Sequence, residues 1–197
     1  MVEIRKSKLG REIIIEENPL SKLLFVSTKL AWLWLILRLY IGYTWLTSGI
    51  SKFGADAWTG ENAGAAVKGF VSGSLALAEE GSVSGWYAWF LENVVMPNAN
   101  IFAYFVVYGE ILVGIGLILG LLTGIAAFFG ALMNFSFLLA GTISSNPIMF
   151  IIAIFIIMGW KVAGWYGLDR WALPLLGTPW RMSKGKNSVK SLDNMKG

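Results

Sequence analysis

Cysteine and histidine are both absent from the 197 residues. Without cysteine the chain can form no disulfide, no thiolate nucleophile and no Cys-ligated iron–sulfur cluster. Without histidine it lacks the commonest zinc ligand, the usual haem ligand and the usual general base near neutral pH. No metal site and no haem is therefore expected. Charge is scarce as well: Asp, Glu, Lys and Arg make up 14% of the residues, against about 25% in soluble domains. Phosphate-loop, dinucleotide-binding and metal-binding spacings are missing, and nothing reads as a nucleic-acid footprint. Any redox chemistry must use a diffusible carrier, a bound organic cofactor or a partner subunit.

What the chain has instead is apolar length. Apolar residues reach 56% and gather in four blocks, about 30–50, 101–122, 123–141 and 147–164. Each has the roughly 18–22 residues that cross about 30 Å of hydrocarbon as a helix. Short links join the last three blocks and make them antiparallel neighbours. Met1–Lys29 lacks the basic start, apolar run and small-residue cleavage site of a signal peptide. Lys and Arg crowd the two ends: Arg5, Lys6, Lys8, Arg11, Lys22 and Lys29 before the first block, and Lys161, Arg170, Arg181, Lys184, Lys186, Lys190 and Lys196 from the last block onward. The loop after the first block has only Lys52 and Lys68 against Asp56, Glu61, Glu79, Glu80 and Glu92. The positive-inside bias then predicts both termini in the cytoplasm, which requires an even number of spans.

The expected fold is an all-α membrane protein, a four-transmembrane-helix bundle with an outer amphipathic helical loop. It divides into an N-terminal cytoplasmic segment 1–29, a membrane domain 30–179 containing the outer loop 51–100, and a polar, lysine-rich cytoplasmic tail 180–197. Within the loop, Val67, Phe70, Val71, Leu75 and Ala78 recur at helical spacing, and Trp86, Trp89, Phe90 and Val94 repeat the pattern. Two short amphipathic helices are predicted, turning at Gly81–Gly85. They either cap the bundle or rest on lipid headgroups. Residues 167–176 are too short and too charged to span, and belong at the inner interface.

Two ionisable residues stand inside the spans. A charge facing lipid at that depth costs roughly 2.5–3.5 kcal/mol on insertion scales, so Arg38 and Glu110 are expected to face the interior. Counting rise from the cytoplasmic side puts Arg38 about 12 Å deep and Glu110 about 17–18 Å deep, one turn apart. The pair is either a structural ion pair or a catalytic site, with Arg38 holding an anion or a quinone carbonyl and Glu110 moving protons. Asn134 is a third polar group at depth, for packing or ligand contact. Tyr43, Trp45 and Tyr108, with Tyr40 and Tyr104, could line an aromatic pocket for a quinone ring or serve as interface anchors. Lys52 either snorkels to headgroups or attracts an anion at the outer side. Gly116, Gly120 and Gly124 follow a small-residue spacing that permits close helix contact.

Arg38-x-x-x-Gly42 followed by Gly49-x-x-Lys52-Phe53 resembles the first-span signature of the DoxX/DoxD membrane proteins. Tyr108-Gly109-Glu110 with Gly114, Gly120, Leu121 and Thr123 resembles their second span. Ser84-Gly85-Trp86-Tyr87-Ala88-Trp89-Phe90 and Gly167-Leu168-Asp169 are similar to the DoxD branch, and the likeness covers about 30–179. The resemblance implies four spans and, for that branch, the large subunit of a thiosulfate:quinone oxidoreductase, which couples two thiosulfates to tetrathionate and passes the electrons to a quinone. A small second subunit belongs to that archetype. Other DoxX relatives act as membrane partners of soluble redox enzymes.

The leading expectation is thus a quinone-linked membrane oxidoreductase acting on a small sulfur anion such as thiosulfate. Its partners are the lipid bilayer, the quinone, and either a small second subunit or further copies of the chain. Arg38, Lys52 and Asn134 would bind the anion, Arg38 and Glu110 would be catalytic, and Tyr43, Trp45 and Tyr108 would hold the quinone. The alternatives are a non-catalytic scaffold for a soluble redox partner and, with less support from four unbroken spans, a small-solute transporter.

Overall fold

A computed structural model describes residues 4–7, 10–13 and 18–178. The polar tail expected over 180–197 lies outside the described residues. Near the N-terminus, β1 (Ile4–Ser7) and β2 (Gly10–Ile13) pair antiparallel, Ile4 opposite Ile13 and Ser7 opposite Gly10. This hairpin sits where only mixed polar sequence was expected. The rest is helical. The short α1 (Pro19–Ser21) starts at Asn18, whose side chain accepts from the Leu20 amide at 2.9 Å, a helix N-cap. A π turn (Lys22–Val26) and a 3-10 turn (Thr28–Leu30) follow.

The first long helix, α2 (Ala31–Lys52), is an uninterrupted apolar run with no proline. It stops where Phe53 turns extended and Gly54 takes a φ of 76°. Helix α5 (Ala99–Leu119) ends on Gly120 at φ 63°. There the Leu121 amide reaches back 2.9 Å to the Gly116 carbonyl, the six-to-one bond that closes a helix on a left-handed residue. Helix α6 (Thr123–Leu139) starts immediately after this turn. Helix α7 (Asn146–Met158) opens with proline in its first turn, where the missing N–H costs nothing. It breaks at Gly159 and resumes as α8 (Trp160–Ala163). The break makes room for Trp34: a Cβ on Gly159 would stand 3.1 Å from that indole.

Helices α2, α5, α6 and α7 form a ring, α2 on α5, α5 on α6, α6 on α7, and α7 with α8 back on α2. Trp34, Ile41, Trp45, Leu117, Ala127 and Ile156 are among the residues filling its axis. The 25-residue stretch 28–52 and the 21-residue α5 are long and apolar enough to cross a membrane, while α6 and α7 are apolar and shorter. Outside the ring lie α3 (Ala65–Glu79), on which Val67 and Val71 of the first pattern are buried, and α4 (Gly85–Phe90), continued by a π turn (Leu91–Val95), where the buried face is Tyr87, Leu91 and Val95 and the expected Trp86 and Trp89 are exposed. They cap the bundle: Val67, Val71, Tyr87, Leu91 and Val95 bury against Ala99, Ala103 and Ala140. The Tyr87 hydroxyl donates to the Ser136 carbonyl at 2.9 Å. Burial pushes this phenol's pKa up, so it stays a donor. The last helix, α9 (Asp169–Leu175), follows α8.

Small residues set the α2–α5 register. A Cβ on Gly42 would meet Leu117 and Ile118, one on Gly49 would meet Ile111 and Glu110, and one on Gly114 would lie 2.5 Å from the Leu46 backbone nitrogen. The obstacle at Gly114 is backbone, so it cannot swing aside. Gly114→Ala is expected to cost about 1–3 kcal/mol, as overpacked sites do, read as a lower thermal midpoint in detergent.

Candidate functional site

Near the end of the ring that α3 and α4 cover, Lys52 Nζ lies 2.5 Å from Glu110 Oε1. It is the only ion pair among the described residues. Helix geometry explains why these two meet. Side chains lean toward the N-terminus of their own helix. Lys52, in the last turn of α2, therefore leans back into the bundle. Glu110, on antiparallel α5, leans outward to meet it. The lysine side chain keeps 21% exposure while the carboxylate keeps 2%. The ammonium also stands 4.8 Å from the Trp58 ring centroid, a cation–π contact. Glu110 Oε2 has no hydrogen-bond partner among the described residues. The arrangement is a buried carboxylate with one oxygen paired to a lysine and the other left without a partner among the described residues.

Two further buried polar groups occupy nearby levels of the ring. Gly109 faces Met133 across the α5–α6 contact, and a Cβ on Gly130 would stand 3.0 Å from Trp45 Nε1. Asn134 therefore sits close to the level of Glu110, with Trp45 about one turn further in. Asn134 is fully buried, and its amide oxygen and nitrogen and the Trp45 Nε1 all lack partners among the described residues. Ile41, Leu117 and Ile156, each 0% exposed, fill the same buried apolar cluster as Trp45.

Arg38 does not belong to this constellation. The expected Arg38–Glu110 pair is not formed. Gly42 is level with Leu117 and Gly49 with Glu110, which places Arg38 beside Gly120, roughly three helical turns from the carboxylate. The two side chains also lean in opposite directions along the axis. The depth estimate went wrong because it started both helices at one plane, whereas α2 begins beyond the end of α5.

At the opposite end of the ring Arg38 is 1% exposed and its Nη2 donates to the Tyr166 carbonyl at 3.1 Å. Nε and Nη1 have no partner among the described residues, and the carboxylate whose field acts on it is Asp169. The guanidinium lies against the α-carbons of Gly120 and Gly167, where any Cβ would collide with it. Asp169 itself is 0% exposed and accepts from the amides of Leu122, at 2.6 Å, and Thr123, at 2.8 Å. It caps α6 from 46 residues away. The cap holds Leu122 at φ 49°, a left-handed conformation that costs a non-glycine residue roughly 1–2 kcal/mol. The amides of Leu168 and Asp169 add bonds to the carbonyls of Leu119 and Gly120 at 3.1 and 2.7 Å. The segment around Asp169 is thus a clamp on the α5–α6 turn, with Arg38 as its counter-charge. Sequence reading missed the cap because the acceptor and its amides are remote in the chain.

The predicted aromatic pocket is not assembled either. Tyr43 is 66% exposed and Trp45 is buried in the ring. Tyr108 stacks on Tyr104 and meets Phe53 edge-on. A different space exists: a cleft of about 840 Å³ between α5 and α6, roofed by α3 and α4. Its lining is almost wholly apolar, and none of Tyr43, Trp45 and Tyr108 contributes to it. Gly109 and Val113, which flank Glu110 in sequence and around the helix, line it, and so does Trp58. Trp58 therefore touches both the cleft and the lysine of the ion pair. Nothing in the sequence marks this cleft, because its walls are ordinary aromatic and aliphatic residues from separate elements.

No curated protein and no solved structure matches the chain. The DoxX family model matches residues 33–142, more than half the chain, a span that starts within α2 and reaches just past α6 and so includes Lys52, Glu110, Asn134 and the walls of the cleft. With its apolar helices and its buried charges, the chain is a membrane protein that belongs to the DoxX family.

Proposed function

We propose that this protein is a quinone-linked membrane oxidoreductase, with α2, α5, α6 and the α7–α8 pair as four spans and both termini in the cytoplasm. Its site is the Lys52–Glu110 pair together with the α5–α6 cleft. The observation that carries the reading is the juxtaposition at Trp58: its ring lines an apolar cleft large enough for a quinone and stands 4.8 Å from the lysine paired with the buried Glu110 carboxylate, and Gly109 and Val113 on either side of Glu110 line the same cleft. A quinone needs an apolar enclosure for its ring and a proton donor at its oxygens. The cleft supplies the first and Glu110 the second.

The electron donor in this reading is a small sulfur anion, thiosulfate, reaching the outer side at Lys52. Two thiosulfates join through a new S–S bond and release two electrons, giving tetrathionate. The quinone takes up those electrons and two protons to become quinol. Glu110 passes protons to the quinone oxygen, Lys52 holds the anion, and Asn134 is available as a further contact. Arg38 has no part in the chemistry, since its guanidinium is enclosed at the opposite end. The buried apolar cluster containing Ile41, Leu117 and Ile156 also speaks against a solute path along the axis.

The test is thiosulfate-dependent reduction of a quinone analogue by the purified protein in nanodiscs, alone and with a membrane extract to supply a small subunit. Turnover that depends on both substrates is expected. Absence of turnover in both settings removes the reading. The competing scaffold reading draws on Trp86 and Trp89, exposed on α4, as a docking face. It requires that Glu110 be dispensable.

A further inference from the structure

The α5–α6 cleft changes character along its length. Toward the outer side its walls are rings, Trp58, Phe70, Phe90, Phe102, Phe105 and Phe137 among them. Toward the inner side they are Gly116, Leu122, Ile125 and Ala126, with Phe129 the one aromatic residue there. Flat rings pack best against other rings, offset or edge-on. A trough walled by aliphatic chains and glycine suits a flexible hydrocarbon chain. The inner part follows α5 from Gly109 to the turn at Gly120, about 16 Å of helix.

We infer that the cleft takes a long-chain prenyl quinone in one orientation, ring outward beside Trp58 and Lys52, chain inward past Gly116. This rests on the quinone reading above and adds a chain requirement and a direction. The reverse orientation would leave the ring oxygens among Leu122, Ile125 and Ala126, where the cleft lining has no polar side chain. It would also move them away from Glu110. A phospholipid fits less well, because its polar headgroup would have to sit among the outer rings.

Hydrocarbon in lipid gains nothing from leaving water. The chain adds only the contacts it makes with the trough. A preference of about tenfold, the equivalent of a modest set of contacts, is therefore expected. The experiment uses the full chain in nanodiscs and an azidoquinone photolabel. Two competitors share one ring, one with a short alkyl chain and one with several isoprene units. The long-chain competitor should displace the label about tenfold better, with labelling on the peptides carrying Trp58 or Phe102–Phe105. Ile125→Trp fills the inner trough from a position 54% exposed at its lip. It should erase the chain preference and leave short-chain affinity unchanged. Equal loss for both competitors, retention of the preference, or a bound phospholipid displaced by Ile125→Trp in place of the quinone overturns the inference. Failure of every quinone to compete in the unaltered protein counts against the quinone reading itself.

Discussion

Asp169→Ala is expected to lower the thermal midpoint in detergent by about 10 °C. Two charge-assisted hydrogen bonds to the Leu122 and Thr123 amides disappear, leaving the first donors of α6 without acceptors. The left-handed Leu122 loses what holds it. Arg38, 1% exposed and with two nitrogens already unpartnered among the described residues, loses its counter-charge. A hydrogen bond to a charged group is worth about 1.5–3 kcal/mol, and each kcal/mol shifts the midpoint by about 2–4 °C in a chain of this size. Arg38→Met alone should cost less, because Asp169 keeps its two amides. Arg38→Met combined with Asp169→Asn should cost less than the sum of the single changes, the signature of coupled groups. Once folded, the Arg38→Met protein should retain quinone reduction. Strict additivity, or a folded Arg38→Met protein without activity, would show that the arginine has another task.

Glu110→Gln has the opposite profile. The substitution keeps size and shape but removes the ionisable oxygen, so quinone reduction should fall by about 10²–10⁴, the range for loss of a positioned proton-transfer group. Stability should change little. Lys52 is partly exposed and can extend to the headgroups when its partner is neutral. Lys52→Met should instead raise KM for the sulfur anion more than it lowers kcat. Steady-state kinetics on the two variants, with melting curves beside them, separate the roles. A Glu110→Gln protein that melts normally and retains full physiological function would favour the scaffold.

Much of the helical plan was legible in the chain. The apolar blocks at 30–50, 101–122, 123–141 and 147–164 correspond to α2, α5, α6 and α7 with α8, because uninterrupted apolar runs with glycine or proline at their ends leave little choice of boundary. The i, i+3, i+4 pattern through Val67, Phe70, Val71 and Ala78 located α3 for the same reason. The hairpin at 4–7 and 10–13 was not legible, since four-residue strands carry too few positions to display an alternation. At the site, the wish to see Glu110 buried and paired was sound, but Arg38 was the wrong partner. Sequence position gives depth only when the register between helices is known, and that register is set by Gly42, Gly49 and Gly114 meeting specific residues opposite. The lean of side chains toward their own helix N-terminus was the available signal that Lys52, and not Arg38, converges on Glu110. The Asp169 cap and the cleft depend on contacts between distant segments, which no local pattern announces.

The clamp on the α5–α6 turn also imposes a timetable. Ribosomal synthesis delivers the arginine of the first long helix and the glycine turn well before residues 166–169, which supply the carbonyl for that arginine and the carboxylate for the turn. Until those last few residues leave the ribosome, a positive charge inside an apolar bundle has no cover and a bent hairpin has nothing to fasten it. Closure of this end of the ring is therefore a late event in biogenesis, and a chain cut short just before Tyr166 would hold every helix of the ring yet lack the bolt that locks them.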